Sequence, residues 1–152
     1  MTAPAMNAAL LKDTEAFLHQ QIPITLAMGV QVQSFDGRHL TITAPLEPNH
    51  NHLGTAFGGS LSAIATLAGY TLLWLLLGDR SAHIVIRESS LRYRRPVTGA
   101  IRAICERPDE AALTAFKTQF AETGKARLRL QVRIEESAQS CVEFEGEFVA
   151  LK

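Results

Sequence analysis

The chain has little of several things that would otherwise narrow its function. Among 152 residues there are two cysteines, Cys105 and Cys141, far apart and in apolar surroundings, so reduced thiols are expected rather than a disulfide framework. Basic and acidic residues balance at 15 each. With no net charge, nothing in the overall balance favours nucleic acid or an anionic membrane surface. The N-terminus, Met1-Thr2-Ala3-Pro4, lacks the basic region and early apolar run of a secretion signal, so a cytoplasmic location is expected. There is no lysine after Gly58-Gly59, no GxGxxG spacing and no GxSxG elbow around Ser60 or Ser62, which sets aside the phosphate-loop and serine-elbow readings. Repeats, low-complexity stretches and linkers are also missing, so residues 1–152 read as a single domain.

What is present is strongly patterned. Residues 6–21 read as an amphipathic helix carrying Leu10, Leu11, Phe17 and Leu18, stopped at Ile22-Pro23 because proline disfavours the helical conformation in the residue before it. Strands are expected at about 28–35 and 38–46, with Asp36-Gly37 as the hairpin turn between them. A long apolar helix is expected at 57–77, then strands at about 82–95 and 99–106. A helix at 109–123 follows, capped by Asp109 and stopped by Gly124. In the last two strands Leu128, Leu130, Val132 and Ile134 alternate with Arg127, Arg129, Gln131 and Arg133, while Val142, Phe144, Gly146 and Phe148 alternate with Glu143, Glu145 and Glu147. One face is therefore dry and one wet, and antiparallel pairing sets arginines against glutamates, which reads as sheet surface rather than a nucleic-acid site. The class is α+β. Only the 57–77 helix is apolar enough to cover the dry face, so the antiparallel sheet should curl around it.

That helix is long enough to span a bilayer, but Ser60, Ser62, Thr66, Gly69, Tyr70 and Thr71 interrupt it and no basic cluster flanks it, so no membrane span is expected. Ser62, Thr66 and Tyr70 are four apart and form one polar stripe. They either bond back to carbonyls one turn earlier or line a pocket. In front of the helix runs Asn49-His50-Asn51-His52-Leu53-Gly54-Thr55-Ala56-Phe57-Gly58-Gly59-Ser60. His50 and His52 alone do not close a metal site, and no metal is expected. A glycine pair at a helix start leaves unpaired N–H groups at the positive end of the helix dipole, open to a ligand oxygen. That suits an oxyanion such as the one formed when a thioester carbonyl is attacked; the alternative is that the glycines serve only a tight turn and close packing.

Asn51, Gly54-Thr55-Ala56-Phe57-Gly58-Gly59 before an apolar helix, and Leu91-Arg92-Tyr93-Arg94-Arg95-Pro96-Val97 in the next strand together resemble the hot-dog fold thioesterases of acyl-CoA and acyl-carrier-protein substrates. The nearer likeness is to a bacterial branch found alone or fused behind an acetyltransferase domain, where "GTAFGGSL", "IPITLAMGV" and "FEGEFVA" are typical. It covers nearly the whole chain. The resemblance implies homodimers joined sheet edge to sheet edge, tetramers as the larger assembly, sites at the subunit interface and no cofactor, coenzyme A or phosphopantetheine being part of the substrate. It implies that Asn51 holds water or the substrate carbonyl and that the Gly58 N–H, helped by Gly59, polarises that carbonyl. Thr66 stands where the family usually has Asp or Glu, and Phe57 where it usually has His. A threonine is no general base at neutral pH, and losing one costs about 10²- to 10⁴-fold. Thr66 is then expected to relay a hydrogen bond, with His52 or Glu88 as base. Phe57, Ser62, Tyr70, Ser90, Arg92, Arg94 and Arg95 are expected to bind substrate, the arginines through phosphate groups, although alternation along a strand keeps them from all pointing one way. The rival readings are a non-catalytic acyl-thioester binder or accessory domain for an acetyltransferase, and a hot-dog hydratase.

Overall fold

The computed structural model describes residues 8–152, so the first two residues of the expected N-terminal helix lie outside the described residues. Helix α1 runs Ala8–Gln21 and stops before Pro23, with a last bond from the Ile22 N–H to the Leu18 carbonyl, 2.8 Å. A short helix α2, Ile24–Ala27, was not expected. The Thr25 hydroxyl donates to the Ile22 carbonyl at 2.8 Å and winds one turn there, so β1 begins at Gln31 rather than near 28 and ends at Phe35. Strand β2 is His39–Ala44, two residues short of the expected end at 46; Leu46 instead opens the four-residue turn α3, Leu46–Asn49, whose Glu47 and Pro48 have non-helical backbone angles. Between the strands the Asp36 carboxylate accepts from the Arg38 and His39 N–H groups at 2.8 and 2.6 Å, closing the expected hairpin.

Helix α4, Gly58–Leu77, is the centre of the fold. Strands β3 (His83–Tyr93) and β4 (Ile101–Glu106) follow, then α5 (Glu110–Thr123), β5 (Lys125–Glu136) and β6 (Gln139–Leu151). Asp109 caps α5 by accepting the Ala112 N–H at 2.8 Å, and Gly124 ends it in the left-handed conformation, as the sequence predicts. The strands form one antiparallel six-stranded sheet in the order β1-β2-β4-β5-β6-β3. Helix α4 packs against β2, β3, β4, β5 and β6, so the sheet curls around it, giving the hot-dog architecture. Ile64, Leu72 and Leu73 on α4 are completely buried, each contributing about 1.5–3 kcal/mol. By length and composition α4 is the one helix among the described residues that could cross a bilayer, and its apolar side chains are used by the sheet instead.

The wet face is laced as the charge pattern predicts, with one shift. Arg129 pairs in register with Glu147, yet its guanidinium reaches diagonally to Glu145 at 2.9 Å and Glu88 at 3.8 Å. Glu147 is taken by Arg87 from β3 at 3.2 Å. The arginine side of every pair is solvent-exposed, and only Glu147 among the carboxylates is mostly covered, so each pair contributes about 0–1 kcal/mol.

Candidate active site

The loop before α4 is built by its own backbone and by one side chain. The Asn51 Oδ1 accepts the Leu53 N–H at 2.8 Å and the Thr55 N–H at 3.1 Å, and its Nδ2 donates to the Thr55 hydroxyl at 2.9 Å. The Asn51 N–H donates to the Thr55 carbonyl at 2.7 Å. This closed turn needs the left-handed backbone that Gly54 supplies at φ +79°. Both acceptor directions of the Asn51 amide are thereby occupied, leaving one Nδ2 hydrogen for any ligand.

Asn49, which sequence reasoning passed over, is buried and holds the loop to the body. Its Nδ2 donates to the Met28 and Pro45 carbonyls, both at 2.9 Å, and its own carbonyl accepts the Phe57 N–H at 2.7 Å. Phe57 is the N-cap residue of α4 and offers no side-chain acceptor. The N–H groups of Gly58, Gly59 and Ser60 thus have no partner inside the helix, and the first turn begins with Leu61 N–H to Phe57 carbonyl, 3.0 Å. The positive end of a 20-residue helix is presented without a capping group.

Two exposed aromatic rings flank it. Phe57 lies over Gly59, where an added Cβ would fall 2.4 Å from ring carbon Cε2; Tyr93 lies against Gly58, where an added Cβ would be 3.8 Å from Cε1. The Tyr93 hydroxyl is 3.4 Å from the Gly58 carbonyl oxygen, a long contact for an O–H donor. Tyr93 was not among the expected site residues. The signal was available: it shares the inner face of β3 with Leu91, opposite Val142 in β6.

The other expected residues divide. Thr66 donates its hydroxyl to the Ser62 carbonyl at 2.9 Å, the back-bonding alternative; Ser62, Thr66 and Tyr70 are all half-buried on α4. The Tyr70 ring packs edge-on against Phe148 and Trp74. His52 is exposed on the loop. Among the described residues no carboxylate hydrogen-bonds to Asn51, Gly58, Gly59, Thr66 or Tyr93. Glu88 is exposed and paired with Arg129 across the sheet rather than with a neighbour on its own strand. Ser90 and Arg92 pair with Glu145 and Glu143 and so belong to the outer face of the sheet, where they line a cavity of about 390 Å³ with Gln131, Arg133 and Ser140. Arg94 bonds Glu143, and Arg95 is exposed just beyond the strand. The structure therefore sets Phe57 against Gly59 and Tyr93 against Gly58, keeps the Asn51 side chain within the preceding turn, and puts Ser90 and Arg92 on the outer face of the sheet.

Solved structures similar over nearly the whole length include the following three. One, a protein of unknown function from Chlorobaculum tepidum, is 37% identical, with a TM-score of 0.87 over 94% of both chains. Another, a "putative thioesterase" from Shewanella oneidensis, is 29% identical, with a TM-score of 0.82 over 96% of this chain and 100% of that one. A thioesterase variant from Pseudomonas aeruginosa, 16% identical, shares the fold at a TM-score of 0.73 over 98% and 99%. Residues 11–152 match the family model YiiD_C, described as "Putative thioesterase (yiiD_Cterm)", and the chain belongs to that family.

Proposed function

We propose that the protein hydrolyses acyl thioesters of coenzyme A or an acyl carrier protein at the N-terminus of α4. The observation that carries this reading is the uncapped start of α4 at Gly58-Gly59, set between the Asn51 loop and Tyr93, in a chain of a thioesterase family. The thioester carbonyl would accept from the free N–H groups of the first turn, which stabilise the charge that develops when water attacks. The remaining Asn51 Nδ2 hydrogen would orient water or the carbonyl, and Phe57 and Tyr93 would wall the acyl thioester. The Tyr93 hydroxyl, weakly held at 3.4 Å, is a further donor toward the oxyanion. With Thr66 bonded to Ser62, His52 is the base candidate on the same loop. The two free buried thiols fit a reducing compartment, hence the cytoplasm.

A homodimer joined through β3 fits the two sheet edges. At the β1 edge, α1 supplies covering groups: Glu15 accepts the Val32 N–H at 2.9 Å and the His19 Nε2–H donates to the Val30 carbonyl at 2.8 Å. At the other edge β3 runs 11 residues, beside which the sheet order places no strand; such an edge is a template for pairing. Light scattering on the eluting protein should give twice the chain mass, and a monomer at micromolar concentration would overturn it.

The functional test is thiol release from short, long and aromatic acyl-CoAs by wild type and Asn51→Ala. Release that falls at least tenfold in the variant supports the reading. The back-bonded Thr66 favours a second one, an acyl-thioester binder serving as an accessory domain, in which acyl-CoA raises Tm with no thiol released.

A further inference from the structure

We propose that Glu136, at the far end of β5, is a positioning residue for the α4 N-terminus and the Asn51 loop, a role that rests on the functional reading above. The geometry is a line of hydrogen bonds passing through two peptide planes. The Glu136 Oε2 accepts the Thr98 N–H at 2.9 Å and the Gly99 N–H at 2.8 Å, and Oε1 accepts the Thr98 hydroxyl at 2.8 Å. The Thr98 N–H belongs to the same peptide group as the Val97 carbonyl. That carbonyl accepts the Ala56 N–H at 2.8 Å, and Val97 itself is completely buried. The Ala56 N–H in turn shares its peptide group with the Thr55 carbonyl, which accepts the Asn51 N–H at 2.7 Å.

A carboxylate therefore stands at one end of the line and the candidate site at the other. Charge-assisted bonds are stronger than neutral ones, and a chain of peptide hydrogen bonds polarises cooperatively, each bond strengthening the next by about 10–30%. Negative charge on Glu136 makes the Val97 carbonyl a better acceptor for Ala56, and the Thr55 carbonyl a better acceptor for Asn51. Two residues after Ala56 the chain is already Gly58. The Glu136 carboxylate at the turn between β5 and β6 thus sets where the α4 N–H groups and the Asn51 amide stand.

The test compares wild type, Glu136→Gln and Glu136→Ala by amide hydrogen exchange and by thioester kinetics. Gln keeps the volume and one neutral acceptor oxygen; Ala removes every bond. Exchange at Thr98, Ala56 and Asn51 should quicken in the order wild type, Gln, Ala, by about ten- to a hundredfold for Ala, the range for losing a charge-assisted bond. Core amides such as Ile64 should exchange as in wild type. In turnover, kcat should fall about tenfold or more with KM nearly unchanged, since geometry rather than binding is lost. If Glu136→Ala does not fold, Glu136→Gln carries the same comparison. Wild-type exchange at Ala56 and Asn51 in a folded variant would overturn the proposal. An exchange response in a protein that releases no thiol from any acyl-CoA would instead sink the hydrolase reading and leave the positioning intact.

Discussion

Gly59 and Gly69 both sit in α4, and a methyl group added to either would collide with a phenylalanine, yet the two collisions should have opposite consequences. At Gly69 the added Cβ would lie 2.2, 2.6 and 2.9 Å from Cζ, Cε2 and Cε1 of Phe148. That ring is completely buried and held by the edge of Tyr70 at a centroid distance of 5.6 Å, so it must shift by about an ångström inside a close-packed core. Overpacking of this kind costs about 1–3 kcal/mol, offset by about 1 kcal/mol because alanine is the better helix former. A net loss near 1 kcal/mol, at most about 2, lowers Tm by about 2–4 °C for each kcal/mol in a domain of this size. At Gly59 the Cβ would lie 2.4 Å from Cε2 of Phe57, but Phe57 is 56% exposed and its ring can swing into solvent. Gly59→Ala should leave Tm within about 2 °C of wild type, the range of a neutral surface change, and alter thioester turnover by displacing the ring beside the proposed oxyanion site. Thermal unfolding followed by circular dichroism, beside thiol release, reads both effects. Equal Tm losses for the two variants would refute the reasoning, because they would mean that the Phe57 ring is as confined as that of Phe148.

Tyr93→Phe keeps the ring against Gly58 and removes only the hydroxyl; kcat should fall about tenfold or more with unchanged Tm, and an undiminished kcat would remove Tyr93 from the oxyanion site. Hydrogen bonds from the Thr98 hydroxyl and then from the Gly99 and Thr98 N–H groups hold the Glu136 carboxyl below its ordinary value of 4.5. The unfolded chain binds more protons in that window, so stability present above pH 4.5 should drain as pH falls through the folded value, more steeply in wild type than in Glu136→Gln; parallel acid-denaturation curves would contradict this. Burial pushes the Cys105 thiol up to about 12 and also raises Cys141. Neither should react with an aromatic disulfide reagent at pH 8 in the native protein, whereas denaturant should release two thiols; rapid native labelling would show that the core opens.

Much of the fold was legible in the residues. The alternation of leucines with arginines over 127–134 and of apolar residues with glutamates over 142–148 assigned a dry and a wet face, because the strand period is two and a single slip would bury charge. The absence of charge across α4 left that helix as the only cover for the dry face, and Asp109 with Gly124 marked both ends of α5 through local hydrogen bonding. What the sequence missed in the fold were short local turns. The turns at α2 and at α3, where Leu46 leaves the expected strand, are short, with no periodicity to reveal them.

At the site, the glycine pair opening α4 was legible because a helix start without side chains is a local property. Nothing local in the sequence marks Asn49 as a brace for the loop. Burial among carbonyls from residues 28 and 45 decides that Asn49 braces the loop, while Asn51 closes it. Tyr93 lies 35 residues from Gly58, and only the pairing of β3 on β6 brings its ring to the helix. Ser90 and Arg92 on the same strand go to the opposite face by the same alternation. The link from Glu136 to Asn51 depends on two peptide planes lining up across three segments, an arrangement that no spacing in the chain encodes. Local backbone preferences and apolar periodicity were determined by the sequence itself; which polar groups meet was decided by tertiary structure, since a hydrogen bond exists only where packing brings donor and acceptor within about 3 Å.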